Sequence, residues 1–372
     1  LLHQRVQSDL TVLTNARVHR IIFDEAHRAN AVDVEIGGRH QHIAIKRELV
    51  LCAGALETPK LLMLSGVGPR DQLSRLGIPL VLEQAAIGQN LQDHPNVCLF
   101  YQGRQVVDFG HPQVYGFGRS NAELDLPANQ ADTCFTFMAA PITLKQSMYR
   151  MVPAIALPGR LFYNRLLRGV LRRLIDLVFL LPFVERFVDR IYGAVVILGK
   201  PRSRGQLRLA SANALDQAVI DPAYYSDPRD MDTMLRGIDT AKRIAGQKPL
   251  MNWGNRPLVT AARTDDRAAI EKWVHGATMT TFHYCGTCRM GDDDSSPVNT
   301  RLSLKGVPNV RVADASTIPE IPVSALNAPS MMIAWRAAEF IAEDTAKAIK
   351  SEKKQQGKAA KRKPKKQKAE KI

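Results

Sequence analysis

His283 stands at the head of a run with chemical potential, His283-Tyr284-Cys285-Gly286-Thr287-Cys288-Arg289-Met290-Gly291. An imidazole with an ordinary pKa of ~6.5 is a base suited to neutral pH, able to accept the proton of a hydroxyl group. Taken alone, a histidine is more often a packed side chain than a catalyst. Cys285 and Cys288 have C-x-x-C spacing, yet a zinc site needs two more close ligands and His283 offers only one. A thioredoxin-like pair would have to open a helix after a strand, so no metal or dithiol chemistry is expected here. A second feature is the turn Asn327-Ala328-Pro329, which leads into a helical pattern carrying Met332, Ile333, Trp335, Ala338, Phe340 and Ile341. Unpaired N–H groups and the positive end of the dipole make such a helix start a prepared site for an anion.

The segments around these residues alternate between strand and helix patterns. Leu10 to Phe23 is strand-like, and two runs between Ala31 and Val50 place apolar residues at every second position, which predicts a sheet. Leu49 to Ala53 is a short apolar strand ending at Gly54, and Thr58-Pro59 predicts an N-cap and first helical residue, with the helix stopping at Gly66. Pro69 and Gly77 bracket a second short helix, and Ile78 to Leu82 returns as a strand. Tyr101 to Val152 lacks a sustained period and reads as loop with short strands. Arg160 to Tyr192 sets Leu166, Val170, Leu174 and Val178 at helical spacing beside Arg165, Arg168, Arg172 and Arg173, a basic amphipathic helix pair broken near Pro182. It can pack on the rest of the domain or lie on an anionic membrane surface. Gly193 to Ala210 alternates again, Asp230 to Ala245 reads as a helix, and Val310 to Ala313 is a strand before the long helix from Pro329. The fold class is α/β.

The 372 residues are 45% apolar and 23% charged, ordinary globular composition with room for about two domains. Collagen-like, disulfide-framework and wholly disordered classes are excluded, and five scattered cysteines indicate a reducing compartment. The chain opens Leu1-Leu2-His3-Gln4-Arg5 without a signal segment and is expected to begin inside a longer protein. Its most apolar run, Leu174 to Val184, is interrupted by Asp176 and Pro182 and falls short of the ~20 residues of a membrane span. The net charge of +15 is concentrated at the end, where residues 351–372 hold ten Lys or Arg against two Glu. That segment has no aromatic residue and reads as a solvated extension, so a nucleic-acid partner is not expected.

From Gly54 to Gly68 the chain reads GALETPKLLMLSGVG, which fits a fifteen-residue signature of the glucose-methanol-choline (GMC) oxidoreductases. Gly88 to Pro95, Lys200 to Gly205, Ile220 to Pro222, Ser226 to Asp230, His283 to Gly291, Arg311 to Ser316 and Asn327 to Ile333 resemble further motifs in family order. The chain thus resembles this family over about residues 10 to 345, most closely its choline-dehydrogenase-like branch.

The resemblance implies an FAD enzyme that oxidises an alcohol, the hydroxyl proton passing to His283 and the carbinol hydride to flavin N5. Asn327 and Pro329 would belong to the helix start that stabilises the electron-rich flavin edge, with Asn327 also a substrate contact. Asp314 and Ala315 would lie beside the cofactor phosphates and ring, Val18 on the adenine side, and Asn90 with His94 in the segment covering the flavin. The implied architecture is a discontinuous FAD-binding domain (residues 1–100 and 276–345) split by an antiparallel-sheet substrate domain (101–275), with a basic tail at 346–372. The implied partners are a small-molecule alcohol and a quinone, carrier or oxygen as electron acceptor; the location is cytoplasmic, peripheral to the inner membrane. Two departures stand out. The second His or Asn of the family's catalytic pair is expected at position 325, which is Ala325. The G-x-G-x-x-G turn that cradles the FAD pyrophosphate occurs nowhere in the chain, so about the first third of the family's length is expected to be absent and this polypeptide alone to bind FAD poorly. A rival reading is a noncatalytic remnant whose basic segments associate with a membrane or RNA.

Overall fold

The computed structural model describes residues 10–107, 114–140 and 164–361, with isolated positions between 141 and 163. Ala16–Phe23 (β1), Ala29–Ile36 (β2) and Arg39–Ala44 (β3) form an antiparallel sheet. Its register pairs Ile21 with Val32 and Val18 with Val34, so these four share one face. Leu49–Leu51 (β4) leads into Gly54–Leu64 (α1), and Val67–Gly68 (β5), Arg70–Arg75 (α2) and Leu82–Glu83 (β6) follow. The buried face of the β1–β3 sheet meets α1 in a core that includes Leu51, Leu62 and Met63. The amide of Ile21 donates to Ser65 Oγ at 2.8 Å and ties β1 to the end of α1.

A second, antiparallel sheet is built from Pro95–Gln102 (β7), Tyr115–Gly118 (β8), Thr133–Ala139 (β9) and Ile191–Leu198 (β10). Arg165–Phe179 (α3) and Pro182–Val188 (α4) lie between β9 and β10 in the chain. Gln206–Arg208 (β11) pairs with Val219–Asp221 (β12), and Pro228–Ala245 (α5) is followed by Lys248–Asn252 (α6). Arg256–Pro257 (β13), Thr260–Arg263 (α7), Arg267–Ala277 (α8) and Met279–Thr280 (β14) complete the region. The strand order is β13-β7-β10-β9-β8, with β14 also on β7. α5 lays Met234, Ile238 and Ala241 on this sheet. Its start is fixed by Asp227, whose side chain accepts from Arg229 N, and by Pro228 in the first turn. The chain then returns to the first core: Val310–Val312 (β15) pairs in parallel with β4, and Asn327–Lys361 (α9) ends the described residues.

Several elements differ from the sequence expectation. α1 begins at Gly54 rather than at Thr58, because Gly54, at φ +85°, lets the chain turn directly out of β4. Thr58 and Pro59 therefore sit inside the helix. The carbonyl of Ala55, which Pro59 cannot satisfy for want of an N–H, accepts instead from Thr287 Oγ1 at 2.6 Å. The strand expected from Ile78 is reduced to Leu82–Glu83. The stretch from Tyr101, read as loop with short strands, contributes β8, which is largely exposed, and β9, whose burial on both faces hides its alternation. α9 runs on to Lys361, through the first part of the segment read as a tail. Ala, Lys, Glu and Gln extend an anchored helix at little cost. Residues 362–372 lie outside the described residues.

Candidate active site

Asp314 closes the junction between β15 and α1. Its Oδ2 accepts from Gly54 N at 2.9 Å and Thr58 Oγ1 at 2.6 Å, while Oδ1 accepts from Ser316 N at 2.8 Å. Beyond it the amides of Gly286 and Cys288 donate to the carbonyls of Ala315 and Ser316 at 3.2 and 2.8 Å. The 283–291 segment is thereby laid across the start of α1. A cavity of about 580 Å³ results, lined by Gly54, Ala55, His283, Ala315, Ala325 and Asn327. A second cavity of about 530 Å³ takes in Val18 on β1 and shares Ala53 and Glu57 with the first. The two make one track from β1, over the start of α1, to the start of α9. Two helix N-termini bordering the same track suit an elongated, negatively charged ligand, which is what a flavin dinucleotide is.

His283 is held from both sides. Asp93, buried, accepts from the His283 amide at 2.8 Å and from the hydroxyls of Tyr224 and Thr280. The ring of His94 meets the ring of His283 edge to face, with Nδ1 to Nδ1 at 3.0 Å. The protons can be assigned by elimination. Nε2 of His94 lies 3.1 Å from the Gly199 carbonyl and 2.8 Å from the Pro322 carbonyl, both of which only accept, so it carries the proton. Nδ1 of neutral His94 is then a lone pair, and Nδ1–H of His283 donates to it. Thr281 Oγ1, 3.0 Å from the same nitrogen, gives its own proton to the His94 carbonyl at 2.9 Å and agrees with this assignment. Nε2 of His283 is left unprotonated, the form a base requires.

Electrostatics favour the same state. Burial, with the neighbouring His283, pushes His94 down from 6.5 to about 4. Burial also lowers His283, against the opposing pull of Asp93. Both imidazoles are neutral at pH 7.

Residues 1–96 match the N-terminal model and residues 201–334 the C-terminal model of GMC oxidoreductase, together more than half of the chain. The chain belongs to the GMC oxidoreductase family. It is 30% identical over 341 residues to choline oxidase of Arthrobacter globiformis, covering 90% of this chain and 56% of that protein. Alcohol dehydrogenase (acceptor) of Pseudomonas putida is 30% identical over 344 residues, covering 90% of this chain and 58% of that one. Among solved structures, pyridoxine 4-oxidase of Mesorbium loti superposes with a TM-score of 0.73 at 27% identity, over 90% of this chain and 58% of that one. The chain therefore spans less than three fifths of the length of these relatives. The mixed α/β fold with its antiparallel sheet is the GMC fold over that span.

Within this GMC chain the residues singled out in the sequence fall into three groups. His283, Ala315 and Asn327 meet on the first cavity, Asn327 as the first residue of α9, with Pro329 in its first turn. Val18 is on the second cavity. Asp314 and Asn90 stand behind the walls: Asp314 through the hydrogen bonds above, Asn90 by donating to the carbonyls of Gly286 and Pro319 at 3.3 and 3.4 Å. Gly286, at φ +88°, has room for no side chain, since a Cβ would lie 2.5 Å from the Asn90 carbonyl oxygen. Sequence reasoning missed the pairing of His94 with His283 and the convergence of Asp93, Tyr224 and Thr280. The adjacent Asp93-His94 within the quoted motif was the signal available. Cys285 and Cys288 are buried, and burial pushes the Cys285 thiol up to about 12 and Cys288 higher still, which keeps both as inert thiols. Among the described residues, the side chains that gather as potential metal ligands are His19, Glu35 and His40 on the β1–β3 sheet.

Proposed function

We propose that the complete protein oxidises a small-molecule alcohol with FAD, using His283 as the general base. The observation that carries this reading is the meeting of His283, Asn327 and the first residues of α1 on one cavity, with Nε2 of His283 unprotonated. Bound FAD supplies the acceptor for the carbinol hydride at N5. The first turns of α1 and α9, with Ala315 and the Val18 end of the track, would hold it. The task of the protein groups is then to raise negative character on the alcohol oxygen, since a neutral alcohol is a poor hydride donor. Nε2 of His283 takes the hydroxyl proton. Nδ1–H stays hydrogen-bonded to His94, which fixes the ring, and Asp93 holds the backbone that carries it. Ala325 offers no hydrogen bond, so Asn327, which lines the cavity, or the neighbouring Ser324 takes the contact to the substrate oxygen. The electron acceptor in this reading is a quinone, carrier or oxygen, and the location is the cytoplasm, peripheral to the inner membrane. The test is anaerobic mixing of the complete flavin-loaded protein with a panel of primary and secondary alcohols. Bleaching of the flavin absorbance by at least one of them supports the reading; an oxidised spectrum with every alcohol rejects it.

A further inference from the structure

The first side of α3 that meets the protein is narrow. Ile175 is buried and Phe179 packs with Val188 and Ile191, while Arg172 covers the ring of Tyr149 at 4.8 Å. The opposite side carries Leu166, Val170, Leu174 and Leu177 at helical spacing, exposed by 82, 54, 52 and 60%. The corner into α4 continues it with Leu180 and Phe183, exposed by 73 and 69%. Single exposed apolar side chains are normal on a protein; a contiguous set of this size marks a surface that meets something apolar. A helical projection places Arg173 at one border of the apolar arc and Arg168 beyond the other, with Arg165 and Arg172 on the far side. Its one acid, Asp176, lies among these arginines and is paired with Lys145 at 2.8 Å. No acidic residue interrupts the apolar arc.

We propose that this face of α3, with the α3–α4 corner, docks on a membrane surface of anionic phospholipid. The apolar side chains enter the boundary between headgroups and acyl chains, and Arg173 reaches the phosphates from the border. A second copy of the chain fits less well, because pairing two such faces brings arginine borders of the same sign together. The helix is too short and too charged to cross the bilayer, and among the described residues no helix is long and apolar enough to do so. This inference deepens the peripheral location given above and rests on it, but it needs neither FAD nor His283.

The test is sedimentation of the complete protein with vesicles of phosphatidylglycerol and phosphatidylcholine, against phosphatidylcholine alone. Binding is expected on the anionic vesicles and weakened by salt. The double variant L174E/L177E should lose at least ~10-fold in affinity, with unchanged circular dichroism because both positions face water. R173Q should lose about fivefold on anionic vesicles only. No binding by the unaltered protein, or equal binding by L174E/L177E, overturns the proposal. So does a concentration-dependent dimer that L174E/L177E abolishes, which would assign the face to a second copy. Failure of alcohol oxidation with intact vesicle binding would count against the catalytic reading alone.

Discussion

The segment carrying His283 and the helix α3 meet opposite fates in the fold. Around His283 almost every polar group is tied inside the protein: Asp93 has four donor groups within hydrogen-bond distance, Asp314 takes three, and His94 uses both ring nitrogens. On α3 the apolar side chains face outward and Ile175 alone is buried. A site that must hold a ring and its proton in place is rigid through satisfied buried polar groups. A surface that meets a fluid partner needs none. Substitutions should therefore be costly in the first region and silent for folding in the second.

The largest stability effect is expected for D314A, which strands the Gly54 amide, the Thr58 hydroxyl and the Ser316 amide. Chemical denaturation should show a loss of at least about 3 kcal/mol. A loss below about 1 kcal/mol would mean that the junction of β15 and α1 is not held as described.

A comparable effect should appear with pH. His94 refuses in the folded state a proton that it accepts when unfolded. The stability linked to it is thus full above about 6.5 and is lost as pH falls toward about 4. The loss from this group should be about 3 kcal/mol between those limits. In H94N the acid dependence of the denaturation midpoint should flatten; an unchanged slope would place the protonation elsewhere.

G286A is expected to cost about 2 kcal/mol through its positive φ and the Asn90 carbonyl. At the small end, L174E should change folding stability by less than about 0.5 kcal/mol. A large loss there would erase the contrast and show that α3 is packed.

Much of this was legible in the residues, and the exceptions have physical causes. The GALETPKLLMLSGVG run located the strand-turn-helix unit, yet its helix start was misplaced because Thr58-Pro59 imitates a cap. The features that overrule it, Asp314 and Thr287, are more than two hundred residues away. His283 and Asn327 could be named from their local patterns, while the His94 contact could not. A hydrogen bond across 189 positions leaves no periodicity in a single sequence. The helix pair between Arg160 and Tyr192 was visible from spacing. Whether its apolar face was covered depended on the fold.

The central claim is that neutral His283, held by His94, takes the alcohol proton. Its most direct test is the rate of anaerobic flavin reduction by alcohol as a function of pH, in the complete protein and in H283A. The unaltered protein should gain rate through an apparent pKa below the ordinary histidine value of 6.5 and then level off. H283A should be slower by at least ~100-fold and lose that titration. An unchanged rate and profile in H283A would contradict the account.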